Sequence, residues 1–356
     1  MDAIAILTGG GPAPGMNTVV GSVAKTFLEK GYRVLGLHCG YSSLFTKNPR
    51  ITEIDFLLAD DIFNRGGSFL TMSRFKPTDK NFEEDFNLDL FVKNNIKLLV
   101  TVGGDDTAST ANRIAKFLEA KKYPIANIHV PKTIDNDLWG TDMTFGFQSA
   151  VDIATHVIDC IHTTATSHGR VFIVEVMGHK VGWLTLYAGI SGGADVILIP
   201  ELPYDVDKVC KVLKKRRMQG KPFSILAVAE GAISKEESKL SKKEFKAARA
   251  QMKEPSVSYR LANEIAERTG QEIRVTIPGH FQRGGSPCAY DRVLSTRFGT
   301  AAAELIAQKK FGYMVAIRNN LIVPVPLSEV AGKLKTVSPD CDEIRAARDM
   351  GISLGD

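Results

Sequence analysis

The sequence predicts an α/β protein with mainly parallel sheets. Short apolar segments alternate along the chain with longer segments in which apolar residues recur at helical spacing. Strands that are apolar throughout are buried on both faces, which is typical of a parallel sheet covered by helices on each side. In such sheets ligands bind at the carboxyl ends of the strands, and polar, glycine-rich segments follow the apolar ones here.

The apolar segments give the predicted strands, and a long amphipathic pattern gives a predicted helix. Phe147, Ala150, Val151 and Ala154 begin that pattern, which continues to Ile161 with spacings of three and four residues. No linker rich in Pro or Ser divides the chain, and we expect a domain boundary near residue 140. The predicted strands are 3–7, 98–102, 171–177, 196–199, 225–229, 273–277 and 314–317.

Composition indicates a soluble, cytoplasmic protein. The 356 residues are 44% hydrophobic and 24% charged, which is ordinary for a globular chain long enough for two domains. The net charge of +5 is spread along the chain, so we expect no nucleic-acid partner and favour small anionic ligands. The five cysteines are far apart, which indicates free thiols, and no apolar run reaches membrane-spanning length.

The first candidate site is the glycine-rich segment 9–17, which follows the first predicted strand and reads GGGPAPGMN. Glycines let backbone N–H groups approach an anion, and the start of the following helix favours negative charge. The segment does not fit the Walker A pattern, because Met16 and Asn17 stand where Lys and Ser or Thr are required. A tight strand-to-helix turn without a ligand is the alternative.

The second candidate site is 103–107, GGDDT, between a predicted strand and a helix expected to begin near Ala108. Adjacent carboxylates at a strand end suit Mg²⁺ held beside phosphate oxygens, and we assign the metal to Asp105. The alternative is a helix N-cap formed by Asp106 or Thr107. Several kinase families share the pattern GGD-x-T.

The third candidate site is 131–137, PKTIDND, which places two carboxylates, a hydroxyl and a lysine on a short segment predicted to be non-helical. Transfer of a phosphoryl group to a hydroxyl needs a base, an acidic group near Mg²⁺ and a cation for the moving phosphate. The alternative is a surface turn rich in Asp and Asn.

The fourth candidate site is 278–287, PGHFQRGGSP, in which His280 and Arg283 lie three residues apart among glycines. Arginine binds phosphate through two parallel hydrogen bonds, and glycines permit close approach of the ligand. An anion site is therefore favoured over a structural histidine.

Together these motifs resemble the 6-phosphofructokinase family, which contains ATP-dependent and pyrophosphate-dependent members. The resemblance implies two similar Rossmann-like α/β/α domains with mainly parallel sheets and an active site in the cleft between them. It implies a larger donor-binding domain over 1–140, completed by about 281–330. It also implies a smaller domain for the sugar phosphate over 141–280, completed by the C-terminal tail. The matching segments are 9–17, 66–70 with Arg74, 103–107, 131–137, 174–182, 229–231 and 278–292.

The resemblance implies roles for individual residues in phosphorylation of the 1-hydroxyl of fructose 6-phosphate. Asp135 matches the general base, and Asp137 and Asp105 help to position Mg²⁺ and the acceptor. The remaining matches are Thr133 and Lys132 at the transferred phosphoryl group, Gly11, Arg74, Asp106 and Lys132 at the donor, and Met177, Gly178, His179, Glu230, His280 and Arg283 at the sugar phosphate.

Two further matches imply an oligomer. Arg170 and Arg274 correspond to arginines that the family supplies from a neighbouring subunit. A single subunit would then have an incomplete site, so we expect a homodimer or a homotetramer. Sedoheptulose 7-phosphate is a plausible second acceptor.

The phosphoryl donor is predicted from two positions. Asp106 and Lys132 stand where the bacterial ATP-dependent pattern has glycines, and the pair resembles the pyrophosphate-dependent branch. A side chain at Asp106 adds bulk and negative charge where the α-phosphate of a nucleotide would lie. Some ATP-dependent members of the family also carry PKTIDND, so Asp106 is the residue that decides the donor. We therefore predict a reversible, pyrophosphate-dependent enzyme.

Departures from the family pattern define the alternatives. His179 replaces an arginine, and Pro12 replaces an acidic residue. Gly21 replaces one of two basic residues of the bacterial effector site, so we expect no allosteric control of that kind. An ATP-dependent enzyme of the same fold is the first alternative. A non-catalytic regulatory subunit is disfavoured because Asp135 and Asp137 are both present. A different kinase that shares only GGD-x-T is disfavoured by segment 278–292.

Overall fold

A computed structural model describes residues 1–123, 125–308 and 310–356. The described chain divides into two compact units, each with its own sheet of mainly parallel strands. The first unit contains Met1–Ser149 and Arg283–Lys335, and the second contains Ala150–Gln282 and Thr336–Asp356. The predicted α/β class with mainly parallel sheets is confirmed.

The elements alternate along the chain as expected for parallel sheets. The strands are β1 (Ala3–Thr8), β2 (Arg33–Leu37), β3 (Ile51–Glu53), β4 (Ile96–Gly103), β5 (Ala126–Pro131), β6 (Val171–Val176), β7 (Val196–Leu198), β8 (Ser224–Ala229), β9 (Ile273–Thr276), β10 (Tyr313–Arg318) and β11 (Leu321–Pro326). The helices are α1 (Met16–Leu28), α2 (Phe56–Ile62), α3 (Asp79–Glu84), α4 (Leu88–Lys93), α5 (Asp105–Ala120), α6 (Phe147–His168), α7 (Trp183–Ser191), α8 (Val206–Met218), α9 (Lys242–Ala250), α10 (Val257–Thr269), α11 (Ala289–Ala307), α12 (Leu327–Val330) and α13 (Asp342–Asp349).

The sheet of the first unit has the strand order β11-β10-β5-β4-β1-β2-β3. Its inner strands are parallel, and the edge strands β3 and β11 are antiparallel to their neighbours. Because β1, β4 and β5 are adjacent and parallel, their carboxyl ends lie at the same edge of the sheet. The segments that follow these three strands are the first three candidate sites.

Both faces of this sheet are covered, which explains why its strands are apolar throughout. Ile4 and Ile6 of β1 face the side packed by α1 and α11, where Phe298 is buried. Ala3, Ala5 and Leu7 alternate with them and face the side of α5, where they join one cluster with other apolar residues. The alternation follows from the two-residue period of a strand.

The sheet of the second unit has four parallel strands in the order β7-β8-β6-β9. Ile173 of β6 and Val228 of β8 pack on α8 and α10, where Leu213 and Leu261 are buried. On α7, Gly189 lies so close to Ile197 that an added Cβ would approach its side chain to 2.7 Å. Because β6 and β8 are adjacent and parallel, the segments that follow them lie at the same edge of this sheet.

Within the described ranges, no helix is long and apolar enough to cross a membrane.

The two predictions of local structure near the candidate sites differ in outcome. Segment 132–137 is non-helical, as predicted. The helix expected near Ala108 instead begins at Asp105, with Gly104 as its N-cap residue, so the predicted caps Asp106 and Thr107 lie inside the first turn.

Candidate active site

Three glycine-rich or acidic loops meet at the carboxyl edge of the first sheet. The N–H of Gly9 donates to the carbonyl oxygen of Val102 (2.8 Å), which joins the loop after β1 to the end of β4. The N–H of Lys132 donates to the carbonyl oxygen of Gly103 (2.9 Å), which joins the loop after β5 to the same strand end. Segments 9–17, 103–107 and 132–137 therefore form one site.

Lys132 is a buried lysine at the centre of this site. Its Nζ atom donates to the carbonyl oxygen of Gly11 (2.7 Å), and only 3% of the residue is exposed. The pKa of Lys132 is lowered to about 8, chiefly by burial and also by the nearby charge of Arg283, while Asp135 and Asp137 oppose both effects. A lysine so placed supplies a positive charge that solvent does not screen well.

The acidic loop after Lys132 is held in one conformation by its own polar groups. The hydroxyl of Thr133 accepts a hydrogen bond from the N–H of Asp135 (3.1 Å). Asn136 has a left-handed backbone (φ 51°), which asparagine tolerates better than most residues. Oδ1 of Asp137 is buried and accepts no hydrogen bond from the described residues, so it is available to a ligand or a metal ion.

Asp105 and Asp106 occupy the first turn of α5, where the helix dipole favours negative charge. Asp105 is half-buried, whereas the side chain of Asp106 is 70% exposed and pairs with Lys76 (2.7 Å). The charge of Asp106 is therefore compensated by a neighbour, which the isolated motif does not reveal. In the described ranges no three His, Cys, Asp or Glu residues are grouped as metal ligands.

Arg283 belongs to the first unit, although the resemblance assigns it to the sugar phosphate. A Cβ atom added to Gly11 would lie 2.9 Å from its guanidinium, so Arg283 lies against the loop that follows β1. The same guanidinium is near Lys132, whose pKa it lowers. Arg283 thus lies with the residues assigned to the donor, and Arg74 is an exposed residue of the same unit.

His129 is a site residue that the sequence analysis missed. It is fully buried on β5, where Nε2 donates to the carbonyl oxygen of Gly103 (3.0 Å) and the hydroxyl of Thr101 is 2.9 Å from Nδ1. Burial is the main cause that lowers the pKa of His129 to about 3, so the ring is neutral. Its only sequence signal is a polar residue inside an apolar strand.

The second unit brings together the residues that follow β6 and β8. The N–H of Gly178 makes a long hydrogen bond to Oε1 of Glu230 (3.4 Å), and the N–H of Met177 donates to Oε1 of Gln282 (3.2 Å). Gly178 has φ 138°, a backbone conformation that glycine alone adopts readily. His179 follows it and is exposed. Gln282 was not predicted.

The remaining predicted residues of this unit lie just before β6, on β9 and in the loop after β9. Arg170 and Arg274 both pair with Glu272, with 2.7 Å between Nε of Arg170 and Oε2 of Glu272. One carboxylate thus keeps the two guanidinium groups together, although Glu272 itself was not predicted. His280 is exposed.

Comparison with known proteins identifies the family. A model of the family described as Phosphofructokinase matches residues 3–306. The chain belongs to the phosphofructokinase family. Phosphofructokinase activity, a kinase reaction of glycolysis, follows from this membership.

The names of the curated relatives of this chain state which phosphoryl donor each relative uses. It is 47% identical to an ATP-dependent 6-phosphofructokinase of Spirochaeta thermophila over 99% of this chain and 97% of the relative. It is 42% identical to ATP-dependent 6-phosphofructokinase 3 of Bacteroides thetaiotaomicron over 99% of both chains. A pyrophosphate--fructose 6-phosphate 1-phosphotransferase of Amycolatopsis methanolica is 41% identical over 95% of this chain and 96% of the relative.

Solved structures support the fold of this phosphofructokinase. A phosphofructokinase of Pichia pastoris in the T-state matches with a TM-score of 0.81 and 32% identity over 92% of this chain. The chain spans 35% of the length of that yeast subunit. A pyrophosphate-dependent phosphofructokinase of Nitrosospira multiformis matches with a TM-score of 0.83 over 100% of this chain and 93% of the other. At 21% identity that likeness concerns the fold alone.

The prediction of a pyrophosphate-dependent enzyme is wrong, because ATP-dependent enzymes match the chain at up to 47% identity and outnumber the pyrophosphate-dependent relative at 41%. The two residues that suggested pyrophosphate have other roles in the structure. The carboxylate of Asp106 pairs with Lys76, and the ammonium of Lys132 donates to the carbonyl oxygen of Gly11. Neither arrangement is visible in the motifs alone.

Proposed function

We propose that this protein is an ATP-dependent 6-phosphofructokinase, which transfers the γ-phosphoryl group of ATP to the 1-hydroxyl of fructose 6-phosphate. The observation that carries the proposal is 47% identity to an ATP-dependent enzyme over 99% of the chain. The site at the end of β1, β4 and β5 supplies the base, the cations and the backbone donors that such a transfer requires.

In this proposal the first unit binds the donor and performs the transfer. Asp135 accepts the proton of the attacking hydroxyl, and Thr133 hydrogen-bonds the transferred phosphoryl group. Lys132, Arg74 and Arg283 offset the negative charge that accumulates on the phosphate oxygens, and backbone N–H groups near Gly11 hold the donor. The burial of Lys132 strengthens its interaction with such charge, since water competes less there.

Mg²⁺ fits this donor set. Magnesium is usually held by one or two carboxylates together with substrate phosphates and water. Asp105 would hold it, and Asp137 would assist, since Oδ1 of Asp137 is buried without a hydrogen-bond partner among the described residues. The ion supplies charge neutralisation for the phosphates when bound.

The sugar phosphate is assigned to residues of the second unit. Gly178 permits close approach of its backbone, while Met177, Glu230, His179 and His280 surround the acceptor in this proposal. Arg170 and Arg274 would bind a phosphate of the sugar in a neighbouring subunit, so the active enzyme is a homodimer or homotetramer. The pairing of both arginines with Glu272 supports a joint role.

The test is phosphorylation of fructose 6-phosphate with Mg²⁺, measured in an aldolase-coupled assay with ATP or pyrophosphate as the donor. We expect turnover with ATP, and in Asp135→Ser we expect loss of turnover with sugar binding retained. Asp89→Ser, on the exposed surface of α4, is the matched control. Turnover with pyrophosphate alone would refute ATP as the donor. Full activity of Asp135→Ser would refute the assignment of Asp135 as the base.

A further inference from the structure

Lys335 is a lysine of the first unit that lies against the acidic loop, although almost 200 residues separate it from that loop in the sequence. The residue before it, Leu334, pairs with Leu138 in an antiparallel bridge. Its own N–H donates to the carbonyl oxygen of Asp137 (2.8 Å). The backbone at Lys335 therefore runs beside the end of the loop.

The ammonium group of Lys335 carries three N–H donors and has three hydrogen-bond acceptors within 3.0 Å among the described residues. The acceptors are Oδ1 of Asn136 (2.9 Å) and the carbonyl oxygens of Thr141 (3.0 Å) and Asp142 (2.8 Å). Removing a charge from water is costly unless it is hydrogen-bonded or paired. These bonds and the nearby carboxylates of Asp137 and Asp142 offset part of that cost, and burial still lowers the pKa of Lys335 to about 8.

Asn136 connects this ammonium to the catalytic loop, because it stands between Asp135 and Asp137. Only 3% of Asn136 is exposed, and its Oδ1 also accepts a hydrogen bond from the N–H of Thr144 (3.1 Å). The side chain of Asn136 thus connects the loop to residues 141–144. Lys335 binds both this side chain and the backbone of Thr141 and Asp142. Such connected polar groups hold one another in place.

We propose that Lys335 is a positioning residue for phosphoryl transfer, which fixes Asn136 and through it the directions of the Asp135 and Asp137 carboxylates. The inference rests on the proposed function, in which Asp135 is the base. Lys335 acts through Asn136, so its removal changes the rate of the transfer more than the binding of either substrate.

The first experiment compares Lys335→Met with Lys333→Met, a control at an exposed lysine two residues away. Because a small displacement of a catalytic group can reduce the rate by ~10²-fold, we expect a kcat loss of about that size in Lys335→Met. Its KM values for ATP and fructose 6-phosphate should change by less than about threefold. An unchanged kcat, or a loss confined to KM, would overturn the inference.

The second experiment asks whether Lys335 acts through Asn136. Asn136→Gly removes the side chain but accommodates the left-handed backbone. If the two residues act as one unit, Lys335→Met should cause little further loss of kcat in the Asn136→Gly background. Losses that multiply in the double variant would contradict the inference.

The third experiment separates this inference from the proposed function. Amide hydrogen exchange of residues 132–144 does not require activity, and we expect it to be faster in Lys335→Met than in Lys333→Met. If the wild type fails to phosphorylate fructose 6-phosphate with ATP, the proposed function fails while this measurement still tests whether Lys335 holds the loop. Equal exchange rates in Lys335→Met and Lys333→Met would overturn the inference that Lys335 holds the loop in place. Should Lys335→Met not fold, Lys335→Gln, which keeps a donor, serves in all three experiments.

Discussion

The ammonium of Lys132 donates a 2.7 Å hydrogen bond to the carbonyl oxygen of Gly11, so the loop after β5 is joined directly to the loop after β1. This bond places a buried positive charge between the backbone assigned to the donor and the carboxylates of Asp135 and Asp137. The same ammonium thus organises a loop and supplies charge to the reaction.

We predict that Lys132→Met abolishes most of the activity. Loss of one preorganised charge at the transferred phosphate costs about 10²–10³-fold in kcat. Lys97→Met, at an exposed lysine of β4, is the control and should retain activity. Steady-state assays with ATP and fructose 6-phosphate measure the effect, and a Lys132→Met enzyme with normal kcat would show that the charge is dispensable.

The pKa of Lys132, about 8 in the free protein, also predicts a pH profile. Since a lysine is charged below its pKa, kcat/KM should fall as pH rises through about 8. In Lys132→Arg the guanidinium stays charged throughout this range, so a variant that retains activity should lack that decline. A decline of the same midpoint in Lys132→Arg would assign the titration to another group.

How far the sequence predicted this site depends on the separation of the residues involved. The strand ends that carry GGG and GGDD were predicted because each motif is local and follows an apolar run, whereas PKTIDND was identified from its own residues. The strands β2, β3, β5 and β11 were missed; Asn127 and His129 interrupt the apolar pattern of β5, and two prolines interrupt that of β11. Prolines are tolerated in β11 because it is an edge strand.

The errors at the site share a physical cause. Asp106 was interpreted as an uncompensated charge because its partner Lys76 lies 30 residues earlier and outside any motif. Lys335 and His129 are single polar residues whose contacts arise only on folding. Local patterns predict which loops reach the strand ends, but long-range contacts determine how their charges are compensated.

We predict that Gly11→Ala impairs the donor site through Arg283. The new methyl group would lie 2.9 Å from the guanidinium, which is too close, so Arg283 would have to move. The flexible end of its side chain allows that movement. Both kcat/KM for ATP and its salt dependence should change, whereas the midpoint of urea unfolding should stay close to that of the wild type. The decisive comparison is Arg283→Ala alone and combined with Gly11→Ala: a further large loss in the double variant would mean that Gly11 acts by another route.

His129 predicts how stability depends on pH. Its pKa is lowered from 6.5 to about 3 in the folded protein, so the unfolded chain binds a proton that the folded protein does not between these values. The stability that the neutral ring contributes is complete above pH 6.5 and decreases as pH falls towards 3. The linkage relation gives a loss of about 2 kcal/mol between pH 7.5 and pH 5 from this residue.

Urea unfolding of the wild type and of His129→Gln over that pH range tests the prediction. Glutamine does not titrate, so the free energy of unfolding of the variant should depend less on pH by about the same 2 kcal/mol. His156→Gln, at an exposed histidine of α6, is the control. Parallel pH curves for the wild type and His129→Gln would mean that the ring is not held neutral.

The ion pair of Lys76 and Asp106 predicts how the KM for ATP depends on charge at the start of α5. Their side chains are 66% and 70% exposed, so breaking the pair should change the free energy of unfolding by no more than about 1 kcal/mol. Lys76→Ala leaves the carboxylate of Asp106 uncompensated near the start of α5, and we expect the KM for ATP to rise by up to ~5-fold. The double variant Lys76→Ala/Asp106→Gly removes the repulsive charge as well and should restore the wild-type KM. If the KM stays high in the double variant, Lys76 contacts ATP itself and does not act by compensating Asp106.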